Sequence, residues 1–117
     1  WSSDVCSSDL QTTATARVMR EKLAHAQRLL EAVVTSNYTL LETESQALSK
    51  ATKDPGWMVL KTPEYARQSD TFLRATEDLV AAAKAHDLDA AAMHYVSLTV
   101  SCYQCHRYVK NMRLASR

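Results

Sequence analysis

The chain has 117 residues, of which 46% are hydrophobic and 23% charged, and its formal net charge is +1. This length suits one domain with a single modest core. One glycine and two prolines exclude Gly-rich nucleotide-binding loops and provide few of the turns that a sheet protein needs. No apolar run approaches the roughly 20 residues of a membrane span, and the balanced charge disfavours nucleic-acid binding.

The first ten residues, WSSDVCSSDL, differ from the rest of the chain. They resemble the translation of a sequencing adapter, so we expect residues 1–10 to be a non-native tail and residues 11–117 to be the domain. The alternative is a genuine polar tail. Under the adapter interpretation Cys6 has no biological meaning, and a preceding export signal is expected to have been lost. Without Asp4 and Asp9, 14 basic and 11 acidic residues give a net charge of +3.

Helical spacing of apolar residues predicts the first half of the domain. A helix is expected over residues 12–35, with charged residues outside its seam of Ala16, Met19, Leu23, Ala26, Leu30 and Val33. Ser36 and Asn37 are turn and N-cap types. A second helix follows over 38–53, and Asp54-Pro55-Gly56 ends it. Its predicted inward residues are Tyr38, Leu41, Ser45, Leu48 and Thr52.

The second half contains two longer helices. Thr62-Pro63-Glu64 is a strong helix start, which predicts a helix over 63–85, and Asp87 is expected to cap another over 88–114. Their inward positions are Tyr65, Ser69, Phe72, Thr76, Leu79 and Ala83, and then Leu88, Ala91, Tyr95, Leu98, Cys102, Cys105, Val109 and Met112. Four helices with short connections predict an all-α, antiparallel up-down-up-down bundle.

The fourth helix carries the sequence Cys102-Tyr103-Gln104-Cys105-His106. Two thiols three residues apart on a helix face the same way, so both can form thioethers to one haem while the histidine binds its iron. A thioredoxin-like motif would follow a strand, and none is predicted. A zinc site would need a second Cys/His pair, and a disulfide would strain a continuous helix.

With these residues the chain resembles the class II c-type cytochromes, the cytochrome c′-like four-helix bundles. The resemblance covers residues 12–114 and includes the C-x-x-C-H motif, Lys110 one turn later, Met19, and the TPEY start of the third helix. It implies one covalently attached haem c, a periplasmic location, and electron transfer or, in some members, binding of small gases. Many members also form homodimers, which nothing in this sequence specifies.

Met19 is the predicted second iron ligand. In an up-down bundle the end of the fourth helix lies beside the start of the first. His106 lies about 12 Å from the end of its helix and Met19 about 10 Å from the start of its own, so their depths match. The alternative is that Met19 only fills a gap in the core. Met58 is expected to pack with Trp57 in the loop, the alternative being that it caps an edge of the porphyrin, and His25 is expected to be solvated.

The remaining candidate site residues are aromatic or basic. Trp57, Tyr65 and Phe72 are expected either to line a haem pocket or to serve only as core. After His106 the chain is basic, with Arg107, Lys110, Arg113 and Arg117. These cations either form a positive rim that meets haem propionates or an acidic redox partner, or they complement the end of a helix. Arg17 and Arg20 lie near the same end.

The sequence therefore predicts a mono-haem cytochrome that transfers electrons and is not an enzyme, with His106 and Met19 as iron ligands. Two alternatives stay open. One is a five-coordinate protein that binds nitric oxide or carbon monoxide. The other is a haem-free helical bundle that serves as a binding or scaffold module.

Overall fold

A computed structural model describes the backbone of residues 10–115 and the side chains of residues 14–112. Within that part of the chain lie four helices: α1 (Leu10–Val34), α2 (Tyr38–Ala51), α3 (Pro63–Ala85) and α4 (Leu88–Ala115). All predicted helix ends lie within two residues of these bounds. The predicted non-native tail, Leu10 apart, lies outside the described residues, as does Arg117.

Polar caps start three of the helices, as the sequence predicts. Asn37, Thr62 and Asp87 each accept a hydrogen bond from the backbone amide three residues later, at 3.0, 3.1 and 3.0 Å. Each cap satisfies an amide that has no partner inside its helix. The α3–α4 turn is closed by His86, whose backbone is left-handed (φ 54°) and whose ring stacks on Tyr38.

The helices form an all-α four-helix bundle in which each helix packs against the next along the chain. The Thr62 and Tyr108 hydroxyls are 2.7 Å apart and join the start of α3 to the last part of α4. Tyr95, earlier in α4, donates a hydrogen bond to the carbonyl of Ala26, midway along α1. These contacts are compatible with the predicted up-down-up-down order, which places the last part of α4 beside the start of α1.

Most predicted inward positions of α2, α3 and α4 are buried or half-buried. Phe72, Leu79 and Leu98 are at most 2% exposed. The fully buried side chains of this core also include Leu41 and Leu48 from α2. Met112 is the exception at the end of α4, with 38% of its surface exposed.

The predicted seam of α1 is partly wrong, because two of its six residues lie at the surface. Leu23 and Leu30 are 42% and 50% exposed, while α1 buries Val18, Lys22, Leu29 and Ala32. The buried set has nearly the same helical spacing as the predicted one, but it contains a lysine. The helix is therefore rotated so that Lys22, expected on the outside, faces the bundle.

Gly56 allows the α2–α3 loop to lie close to α1. A Cβ atom at this position would meet the carbonyl oxygen of Ala14 at 2.7 Å and a methyl group of Val18 at 2.9 Å. Its φ is not positive, so glycine is needed here for space and not for a left-handed turn. The same loop carries Trp57, which is 2% exposed, into the end of the bundle.

Candidate functional site

A cavity of about 170 Å³ lies between α1, α3, α4 and the α2–α3 loop. Apolar groups dominate its walls. The residues lining it are Thr15, Met19, Lys22, Trp57, Val59, Tyr65, Gln68, Phe72, Ser101, Cys102, Cys105, His106 and Val109. The wall therefore includes the two cysteines and the histidine of the C-x-x-C-H motif.

The motif lies within the continuous helix α4. At 3.6 residues per turn, positions 102, 105, 106 and 109 fall on one side of the helix, and all four line the cavity. Cys102 and Cys105 are half-buried and their thiols are free. Tyr103, between them, points outward and is 62% exposed. The helix therefore presents both sulfurs and the imidazole to the same space.

The surroundings of the cavity shift the proton affinity of two motif residues. Burial raises the pKa of the Cys105 thiol, and the nearby Lys22 only partly opposes this rise. Desolvation and then the charge of Lys22 lower the pKa of His106, although the residue as a whole is exposed. The imidazole is therefore neutral at neutral pH, which is the form that binds metals.

The opposite wall is provided by α1. Met19 is half-buried and packs against the core. Lys22, one turn later, is only 6% exposed, and its Nζ lies 3.3 Å from the Nε2 of His106. Its ammonium also lies 5.3 Å from the ring centroid of Trp57 and 5.6 Å from that of Phe72.

Three aromatic residues fix the third side of the cavity. Trp57 and Phe72 pack with ring centroids 4.9 Å apart, and the indole Nε1 donates a hydrogen bond to Ser69 Oγ at 3.0 Å. Tyr65 is 5% exposed and donates its hydroxyl hydrogen bond to the carbonyl of Trp57. These contacts hold the loop against α3 and leave an apolar surface facing the motif.

Ser101 is a polar group in this wall that the described structure does not satisfy. The residue is 2% exposed, and its Oγ has no hydrogen-bond partner among the described residues. Buried polar atoms almost always have a partner, so this hydroxyl is available to a group bound in the cavity. The cavity thus combines two thiols, an imidazole, an apolar wall and an orphan hydroxyl.

Seven of the eight predicted site residues meet at this cavity: Met19, Trp57, Tyr65, Phe72, Cys102, Cys105 and His106. Lys110 is exposed and is not part of the wall. Lys22 and Ser101 were missed. Their spacing along the helices could have indicated both residues. Lys22 lies one turn after Met19 and Ser101 one turn before Cys105, and residues one turn apart share a helix face.

Two predictions about residues that do not line the cavity are wrong. Met58 is 61% exposed and does not pack as loop core. His25 is not simply solvated, because its Nδ1 lies 2.6 Å from Oε1 of Glu44. The Nε of Arg28 donates to the same oxygen at 2.8 Å, so α1 and α2 are joined by a half-buried polar cluster.

Part of the predicted basic rim is present on the surface near the cavity. Arg20, Arg107 and Lys110 are exposed. Arg17 is also exposed but lies near carboxylates, 3.5 Å from Glu21 and 3.9 Å from Asp54. The side chain of Arg113, like Arg117, lies outside the described residues.

Two kinds of feature are not found in the described part of the chain. Residues 10–115 include no helix that combines the length and apolarity needed to cross a membrane. The described side chains also form no group of three or more His, Cys, Asp and Glu residues able to hold a metal ion by themselves. Haem iron needs fewer protein ligands, because the porphyrin supplies its own.

Comparison with family models, curated proteins and solved structures gives no match for this chain. The function is therefore inferred from the residues of the cavity.

Proposed function

We propose that this protein is a mono-haem c-type cytochrome that transfers electrons. The observation that carries the proposal is the meeting of Cys102, Cys105 and His106 on one wall of an apolar cavity. Spacing in the sequence gives the motif, but a haem also needs a dry space beside it. A C-x-x-C-H sequence that occurred by coincidence would not require aromatic residues from α3 and the α2–α3 loop to face it.

The residues of the cavity fit this group chemically. The S–H bonds of Cys102 and Cys105 would add across the two vinyl groups of one haem, forming two thioethers with no further reactant. The neutral His106 imidazole would bind the iron through a ring nitrogen. The orphan hydroxyl of Ser101 would face the bound group. The haem supplies an iron that accepts and releases one electron.

The protein's own contribution is attachment, ligation and exclusion of water. Trp57, Tyr65 and Phe72 are at most 5% exposed and would cover an apolar face of the bound group. A dry, low-dielectric surrounding is one of the means by which a protein sets a reduction potential. No bond of a substrate is made or broken in this role, so the proposal includes no enzymatic activity. Attachment of haem c in the resembling family further implies an exported, periplasmic protein.

Attachment can be tested by expressing the chain together with haem-maturation machinery and measuring the mass of the denatured protein. We expect one haem per chain, and its loss in the Cys102→Ala/Cys105→Ala double variant. The matched control is Cys6→Ala, which removes the cysteine outside the motif and should keep the haem. A wild-type chain without added mass would contradict the proposal and favour a haem-free binding or scaffold module.

We also propose that the exposed cations near the cavity attract an acidic redox partner. Complementary charge mainly accelerates encounter, and salt screens it. Electron exchange with an acidic redox protein should therefore slow with rising salt and slow further in Lys110→Gln. Lys84→Gln is the control, because Lys84 lies 12 residues after Phe72, the last cavity residue of α3, and so about 18 Å farther along that helix. Equal rates in both variants would exclude this docking surface.

A further inference from the structure

The least expected feature of the cavity is the position of Lys22. Lysine is among the residues least often buried, and when buried it usually pairs with a carboxylate or extends its charge to solvent. Lys22 is 6% exposed, and the ion pairs formed within the described residues do not include it. Its charged end is turned inward, between two aromatic rings and His106.

The hydrogen bond between Lys22 and His106 has a defined donor and acceptor. As an ammonium, Lys22 has only donors, so its Nζ donates and the Nε2 of His106 accepts at 3.3 Å. The acceptor is the lone pair of the ring nitrogen. That same lone pair is what an imidazole gives to a metal. Lys22 Nζ therefore lies on the side of the His106 ring nitrogen to which a metal would bind.

We infer that Lys22 Nζ, and not the sulfur of Met19, is the iron ligand opposite His106, an inference that depends on the proposed haem attachment. Metal–nitrogen bonds are about 2 Å long, as those of zinc to imidazole show. Two nitrogens on opposite sides of one metal thus lie about 4 Å apart, and the present separation is 3.3 Å. The two nitrogens would therefore separate by about 0.7 Å along the line that joins them.

Met19 is the natural comparison, because it is three residues before Lys22 on the same side of α1 and lines the same cavity. It packs against the apolar core, as methionine commonly does. Lys22, unlike Met19, lies within hydrogen-bond distance of Nε2. The lysine also needs its buried position explained, since apolar packing does not account for it.

Binding of the iron by Lys22 would release a proton and would affect the reduction potential. The neutral amine donates its lone pair, so one proton leaves Nζ for solvent as the nitrogen–iron bond forms. A thioether opposite histidine raises the reduction potential. With an amine in that place, we expect the wild-type potential to lie below that of a Lys22→Met variant whose methionine binds the iron.

The test uses the full chain with its haem attached and compares wild type with Lys22→Arg, Lys22→Leu and Met19→Leu. Arginine keeps the charge but remains protonated, so it separates ligation from a purely electrostatic role. Absorption and electron paramagnetic resonance spectra report the spin state. We expect a six-coordinate, low-spin wild type and Met19→Leu. Both Lys22 variants should lose the low-spin signal and bind carbon monoxide without slow displacement of a ligand.

Three results would overturn the inference while leaving haem attachment intact. Loss of the low-spin signal in Met19→Leu, with its retention in the Lys22 variants, would make Met19 the ligand. A high-spin wild type would show that neither side chain binds the iron and would favour a gas-binding protein. Retention of the low-spin signal in all variants would place the ligand elsewhere. A chain that carries no haem mass would overturn the proposed function and the inference together.

A second measurement needs no variant. Wild-type protein grown with lysine labelled with nitrogen-15 at Nζ should show a hyperfine coupling between that nucleus and the low-spin iron in pulsed electron paramagnetic resonance. Its absence would overturn the inference even if the Lys22 variants fail to fold.

Discussion

Replacing Lys22 with methionine should stabilise the haem-free protein. The substitution keeps a long, unbranched side chain of similar helix propensity and removes a charge from a side chain that is 6% exposed. A residue retained for stability would give the opposite result. A residue retained to bind a metal is expected to cost stability while the metal is absent.

The size of the effect follows from the contacts of Lys22. Removing an ion from water costs several kcal/mol even after the protein relaxes. The two aromatic contacts at 5.3 and 5.6 Å together return about 1–2 kcal/mol, and the hydrogen bond to His106 returns about 1 kcal/mol. The desolvation cost therefore exceeds what these contacts return, and removing the charge in Lys22→Met should raise the free energy of unfolding by about 1–3 kcal/mol.

Urea unfolding of the reduced, haem-free chain, followed by circular dichroism, measures this difference. Lys110→Met is the matched control, because Lys110 is an exposed lysine of α4 and its replacement should change stability by no more than about 0.5 kcal/mol. If Lys22→Met unfolds at the same or a lower urea concentration than wild type, then the buried lysine is not a source of strain and this reasoning fails.

Three further predictions concern the frame of the site. Burial opposes ionisation of Glu44, but the hydrogen bonds from His25 and Arg28 outweigh it and lower the pKa below 4.5. The ionised Glu44 carboxylate therefore stabilises the folded protein fully above pH 4.5, and this stabilisation is lost as the pH falls through the lowered pKa. Glu44→Gln should be about 2–4 kcal/mol less stable than wild type at pH 7. A difference in the free energy of unfolding that stays constant down to pH 3 would contradict this role of the carboxylate. Gly56→Ala should destabilise the protein by about 1–3 kcal/mol, because its Cβ would lie 2.7 Å from a backbone oxygen of α1; an unchanged Tm argues against that close approach. Burial and then the neighbouring Cys105 raise the pKa of Tyr65 to about 12. The neutral phenol therefore stabilises the folded protein fully below pH 10, and this stabilisation is lost as the pH rises through 12. Tyr65→Phe should remove the last phase of the alkaline absorbance titration. Identical titrations of wild type and Tyr65→Phe would refute the raised pKa of Tyr65.

The helices and most of the site follow from local signals in the sequence. Asn37, Thr62 and Asp87 cap their helices because a side-chain oxygen at those positions satisfies a free amide. The motif cysteines face one cavity because three residues are nearly one helical turn. These features depend on neighbours along the chain, so spacing alone predicts them.

The orientation of α1 does not follow from spacing. One face carries Leu23 and Leu30, and the adjacent face carries Lys22 and Leu29, with similar periodicity. Hydrophobicity favours the first face, yet the bundle buries the second. Tertiary partners decide this, through the cavity for Lys22 and through the carboxylate of α2 for His25. Such conflicts between local pattern and structure are concentrated at functional sites, and this one coincides with the proposed iron ligand.

The central claim is that the cysteines of α4 hold a haem, and mass spectrometry of the proteolytic peptide containing residues 102–106 tests it most directly. After expression with haem-maturation machinery, this peptide should carry the mass of one haem through denaturation. Recovery of the peptide with two unmodified thiols, under conditions in which a known c-type cytochrome is fully matured, would contradict the account.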